Sequence, residues 1–109
     1  MSDHLPLKGI RVLDLTQVFA GPYCTYQLAL LGAQVLKVEP PGGDRARAIG
    51  PFPTDAPNDP ECSGLFLGLN TNKRSVVLDP DDPGARAELA DLVAEADIVV
   101  HDLRAGRAA

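Results

Sequence analysis

An α/β fold built on a parallel sheet is what this sequence predicts, and three observations carry the prediction. Four short, nearly continuous apolar runs, at residues 10–15, 35–38, 76–78 and 98–100, are rich in β-branched residues. Such runs suit strands buried on both faces, as in a parallel sheet. Helical patterns separate the first run from the second and the third from the fourth. Finally, the first run closes on a tight Gly21-Pro22 turn that opens a helix. Strand, turn, helix, strand is the layout of a ligand-binding βαβ unit. The expected architecture is a Rossmann-like open parallel sheet.

Each element has its own warrant. Residues 10–15, IRVLDL, centre the first strand on Val12 and Leu13. The first helix is expected over residues 22–31, with Pro22 at its first position and Gly32 at its end. Tyr23, Cys24, Tyr26, Leu28, Leu30 and Leu31 lie around most of its circumference, and a helix apolar all round is buried all round. Something beyond this sheet is therefore expected to cover it. The second long helix, residues 83–95, has Asp82 as N-cap before Pro83. Ala85, Leu89, Leu92, Val93 and Ala96 form its one-sided apolar stripe. Residues 40–63, dense in Pro, Gly and Asp, read as a long loop too polar for a core element, and such loops are usually functional or mobile. A short helical turn is expected at 65–69.

Composition bounds the function. At 109 residues and 45% hydrophobic content the chain fits one modest domain with a core. No apolar run reaches the roughly 18 residues needed to cross a bilayer. The N-terminus MSDHLPLKG lacks a secretory h-region, so a cytoplasmic protein is expected. Cys24 and Cys62 have neither metal-ligand nor disulfide-framework spacing, and buried or free thiols are expected. A net charge of -5 argues against a general nucleic-acid binder. The chain stops soon after the fourth strand with no closing element, so a fragment of something larger is expected.

The candidate chemistry sits at the strand ends. In open α/β sheets ligands bind at the carboxyl ends of the strands, against helix N-termini. Here that region is residues 16–21, where free backbone N–H groups would hold an anion or a carbonyl, unless the turn carries no ligand at all. No GxGxxG is present, which disfavours nicotinamide or flavin. Asp14 suggests a nucleophile, but an acid there more often caps a helix or pairs with a cation. Glu39 stands where dinucleotide folds hold a ribose, without the glycine fingerprint that would support it. Asn70 to Arg74, NTNKR, would bind a phosphate or form a polar edge with surface ion pairs. His4 and His101 lack an acidic or cysteine partner at useful spacing, and no GxSxG supports a serine triad.

Four motifs, PLKGIRVLDLTQVFAGPY, LGAQVLKVEPPGGD, NTNKRSVVLD and ADIVVHDLRAG, run in order from Pro6 to Gly106. Together they resemble the class III CoA-transferases, the family of formyl-CoA and carnitine CoA-transferases. The resemblance implies that residues 1–109 are the N-terminal part of a large Rossmann-like domain, truncated before the catalytic aspartate. It also implies a parent whose subunits interlock as homodimers and which needs no tightly bound cofactor. Coenzyme A and acyl-CoA are then substrates, with carboxylic acids as partners, and neither nucleic acid nor membrane. Carried over by motif position, CoA contacts fall on Phe19 and Ala20, on Pro40, on Leu78, Asp79, Pro80 and Asp81, and on Asp102, Leu103 and Arg104.

Two departures stand out. Pro40 replaces an arginine that some members place against the nucleotide. Asp102 replaces a common asparagine and puts negative charge near an anionic ligand. The family's chemistry needs a carboxylate nucleophile on the acyl-CoA thioester. None of Asp14, Asp44, Asp79 or Asp102 matches its motif, so no catalytic residue is assigned and the chain alone is expected to be inactive. An acyl-CoA racemase of the same fold, or a non-catalytic Rossmann-like binding module, are the alternatives.

Overall fold

The computed structural model describes residues 4–103. Four parallel strands, β1 (Arg11–Leu15), β2 (Gln34–Glu39), β3 (Arg74–Val77) and β4 (Ile98–His101), form one sheet in the order β3-β2-β1-β4. Val12 pairs with Val35 on one side and with Ile98 on the other. The chain builds outward from β1 through β2 to β3, then returns to place β4 against the opposite side of β1. The expected open parallel sheet is present, and its direction of growth reverses between β1 and β4.

Helices α1 (Ala20–Leu30), α2 (Gly64–Asn70) and α3 (Pro83–Glu95) fill the connections, with a 3-10 turn at Arg45–Ala48. Helix α1 begins two residues earlier than the sequence suggests, so Pro22 occupies its third position. Proline is tolerated there because the first helical N–H groups have no intrahelical acceptor. The first bond of the helix runs from the Tyr23 N–H to the Phe19 carbonyl, at 2.8 Å. At α3 the expected cap is in place: the Asp82 carboxylate accepts from the Ala85 N–H at 3.1 Å, with Pro83 opening the helix.

Burial is uneven across the sheet. Val12, Ala33 and Val35 make the apolar core, with Leu7, Ile10, Leu28, Ala29 and Val100 packed around it. Strands β1 and β2 are well covered, as expected. Strands β3 and β4 are not, because each is a sheet edge with one neighbour and little helix over it; Val77, Ile98 and Val99 are exposed. Within this chain only Pro22 and Thr25 of helix α1 are buried while Tyr23 and Leu30 face outward, which agrees with the expectation that this sheet alone does not cover the helix. The α3 stripe is likewise loose: Ala85 is buried, Leu89, Leu92 and Ala96 are half-buried, and Val93 is exposed. The long loop contributes to the interior, with Asp44, Ala46 and Ser63 buried.

Candidate ligand-binding site

Parallel strands bring every strand-end residue to one edge. The crevice where the direction of growth reverses, between the carboxyl ends of β1 and β4, is the place where open α/β sheets take ligands. Phe19 caps α1 there and Ala20 begins it, both exposed. Asp102 and Leu103 flank the crevice from β4, also exposed. Pro40, half-buried, follows β2. Leu78 is buried and extends the β2–β3 ladder by donating its N–H to the Glu39 carbonyl at 3.0 Å. Asp79, Pro80 and Asp81 form the exposed turn before α3, where the Asp79 carboxylate accepts from the Asp81 N–H at 2.9 Å. Arg104 lies outside the described residues.

The turn after β1 differs from the anion cradle that the sequence suggests. Three successive N–H groups are already taken by carboxylates of this chain. Thr16 donates to Asp14 at 2.9 Å, Gln17 to Asp102 at 3.0 Å and Val18 to Asp44 at 3.0 Å. The amides of 16–18 are therefore not free to hold an anion. Val18 has φ of 71°, a left-handed conformation that is rare for a β-branched residue. Such a conformation costs about 1–3 kcal/mol and persists only where its surroundings enforce it. Gly21 is required by close approach, since a Cβ there would overlap the Thr16 side chain.

Beneath the crevice the interior is ionic. The largest fully buried side chains are Lys37, Glu39, Thr16, Thr25, Asp14 and Asp44, all polar. Asp14 accepts from the Thr16 and Thr25 hydroxyls and pairs with Lys73 at 3.1 Å. Burial pushes its carboxyl up, but those hydroxyls with Lys37 and Lys73 outweigh it and hold it below the usual carboxylate range. Burial likewise pulls the Lys73 ammonium below its ordinary value. Asp14 thus plays the structural role favoured from sequence, and it is not a free nucleophile.

Glu39 and Lys73 revise two other expectations. Both Glu39 oxygens are occupied, Oε1 by the Asp44 N–H and Arg47 Nε, Oε2 by Arg47 Nη2 and the Ser75 hydroxyl. No oxygen remains for a ribose. Burial opposes ionisation of Glu39, but these donors hold its pKa at about 2. The Arg47 guanidinium, its own pKa raised chiefly by Glu39, also stacks 3.7 Å over the Phe66 ring. In NTNKR, Lys73 turns inward, donating to Asp14, to the Pro22 carbonyl and to Asn70. It is neither a phosphate ligand nor part of a surface pair. His101 is structural, its Nδ1 accepting from the Leu103 N–H at 3.2 Å, and Cys24 and Cys62 are free thiols. Among the described residues no group of acidic, cysteine and histidine side chains is arranged to hold a metal.

Lys37 and Asp44 were missed from sequence. Lys37 Nζ lies 2.8 Å from Asp44 Oδ2 and donates to the Thr16 carbonyl at 2.9 Å. That contact is a buried ion pair, and Oδ2 has no other polar partner among the described residues. A signal was available: a lysine inside the apolar run VLKV must either break the strand or find a buried anion.

Comparison with known proteins decides the family. The family model described as CoA-transferase family III matches residues 7–109. The chain belongs to CoA-transferase family III. It is similar to a succinyl-CoA:mesaconate CoA-transferase of Haloarcula hispanica, 48% identical over 92% of this chain and 25% of that protein. It is 42% identical to the succinyl-CoA:glutarate CoA-transferase of Mus musculus, over 94% of this chain and 22% of that one. Among solved structures, a CAIB/BAIF family protein from Brucella suis superposes with a TM-score of 0.82 at 36% identity, covering 93% of this chain and 26% of the other. The chain therefore spans about a quarter of the length of the family III relatives it matches. Among the described residues no helix is long and apolar enough to cross a membrane.

Proposed function

We propose that this chain is the CoA-binding N-terminal segment of an enzyme that moves CoA between two carboxylic acids. The observation that supports this most is the convergence of Phe19, Ala20, Asp102 and Leu103 on the β1–β4 crevice, in a chain of CoA-transferase family III. Ala20 is exposed and small at the helix start, and Arg104 would supply a cation for CoA phosphates. Pro40, Leu78, Asp79, Pro80 and Asp81 line the same edge from β2 and β3. Pro40 brings no cation, and Asp102 brings a negative charge, so the phosphates depend the more on Arg104.

The chemistry proposed for the whole protein is covalent. An aspartate supplied from outside residues 1–109 attacks the thioester carbonyl and expels CoA thiolate, leaving an acyl-aspartyl anhydride. The thiolate then attacks the aspartyl carbonyl, which releases the donor acid and leaves an aspartyl-CoA thioester. The acceptor carboxylate enters by the reverse steps, and the aspartate is restored. One thioester replaces another, so the exchange needs neither ATP nor metal. Asp14 and Asp44 are buried and bonded, which fits them for support and not for attack. The outward apolar face of α1, with Tyr23 and Leu30, suits cover by a partner subunit in an interlocked homodimer.

The test is direct. The intact protein is incubated with an acyl-CoA and a panel of carboxylic acids, and CoA esters are followed by mass. Transfer without ATP is expected; strict ATP dependence, or epimerisation at the α-carbon with no transfer, refutes the reading. Calorimetry places the site: Ala20→Trp should obstruct CoA, Arg104→Ala should cost about 1.5–3 kcal/mol of binding, and Arg86→Ala should change nothing. Unchanged affinity in both of the first two removes the site.

A further inference from the structure

The turn that presents Phe19 and Ala20 is gripped from two sides by one buried ion pair. Lys37 donates to the Thr16 carbonyl at 2.9 Å, and Asp44 accepts the Val18 N–H at 3.0 Å. The two side chains meet at 2.8 Å, each about 1% exposed or less. Between these contacts Val18 is forced into the left-handed region, at φ of 71°. A β-branched residue does not hold that conformation unaided, so the contacts enforce it. Asp44 is delivered to this place by Gly42 and Gly43, with φ of 90° and 86°, which turn the chain back after β2. Its backbone is fixed in turn by its N–H bond to Glu39 at 2.8 Å.

We propose that the Lys37–Asp44 pair is a positioning clamp for the CoA-contacting turn, with Asp44 acting through Val18 to set the direction in which Phe19 and Ala20 face the ligand. The inference rests on the CoA reading above for its ligand, but not for its mechanical content. The same oxygen, Asp44 Oδ1, also caps the 3-10 turn by accepting from the Ala46 N–H at 2.8 Å. A serine at 44 is itself a good N-cap, but it carries no charge for Lys37 and draws the acceptor back from the Oδ1 position that meets Val18.

The experiment compares Asp44→Ser and Asp44→Asn with the unsubstituted protein, each in the intact chain. Hydrogen exchange is read at the amides of 16–20, and CoA affinity by calorimetry, with kcat and KM from the transfer assay. Asp44→Ser should speed exchange at Val18 and raise both the CoA Kd and KM about 5- to 30-fold, with kcat changed less. Asp44→Asn keeps the Oδ1 acceptor and loses the charge, so it should fall between the two on every readout. Adding Val18→Gly to Asp44→Ser should recover part of the affinity, because glycine enters the left-handed region without the clamp. Native exchange and native CoA affinity in the folded variants overturn the proposal. Should Asp44→Ser not fold, Asp44→Asn decides it alone by the same criterion. If the unsubstituted protein binds no CoA, the CoA reading falls and the exchange measurement still decides the clamp.

Discussion

Replacing Lys73 with methionine is the sharpest probe of the ionic interior. Lys73 Nζ donates to Asp14 at 3.1 Å, to the Pro22 carbonyl at 3.0 Å and to Asn70 at 2.8 Å, with 1% of its side chain exposed. Asp14 is fully buried. Met fills much of the volume but leaves three acceptors without their donor and a carboxylate short of one of its two cations. Breaking a buried pair from one side costs about 3–5 kcal/mol, a large part of the 5–15 kcal/mol that typically holds a domain folded. Removing both charges should cost less than the sum of the single changes, with a coupling of about 0.5–3 kcal/mol. Urea unfolding of the unsubstituted protein, Lys73→Met, Asp14→Asn and the double variant, followed by circular dichroism, measures the cycle. A loss below about 1 kcal/mol for Lys73→Met, or strict additivity, would show that water reaches the pair and that the ionic interior is not what holds β1, α1 and β3 together.

Two further outcomes follow from named contacts. Asp14 and Glu39 both have folded-state pKa values below their unfolded ones, Glu39 moving from 4.5 to about 2; the stability they contribute is complete above the unfolded value and is lost as pH falls through the folded one. Thermal unfolding across pH 2–7 should therefore show an acid limb between about 4.5 and 2, and Arg47→Met, by bringing the folded value of Glu39 up toward the unfolded one, should make that limb smaller; a flat profile over that window would contradict the contacts drawn for Glu39. Gly21→Ala should destabilise by about 1–3 kcal/mol, because its Cβ overlaps the Thr16 side chain; a neutral effect in denaturant unfolding would show that the turn has room to spare.

Much of the fold was legible because backbone patterns are local. The β-branched runs placed four strands, and Asp82 with Pro83 placed the start of α3 where it is observed. The strand ends were legible as the site's edge because a parallel sheet leaves little choice. What the sequence hid is tertiary pairing. Nothing near Asp14 in the chain announces Lys73, fifty-nine positions on, and nothing near Val18 announces Asp44. Of the N–H groups expected to be free over 16–21, those of 16–18 are taken, and the sequence hid this for the same reason: the acids that occupy two of them come from distant segments. Burial was overestimated at β3 and β4, because an apolar run reports which residues suit a core but not whether anything covers them.

The distance between Asp14 and Lys73 along the chain also sets an order of events during synthesis. At about 5–20 residues per second, a ribosome makes Lys73 some 3–12 s after Asp14. For that interval the aspartate lacks the cation that bonds it directly, and an anion short of a hydrogen-bonded partner stays hydrated rather than entering a closed interior. Strand β1, though made before β2 and β3, is thus sealed only when the residues just ahead of β3 arrive, and the earliest strand of the sheet is among the last to lose its water.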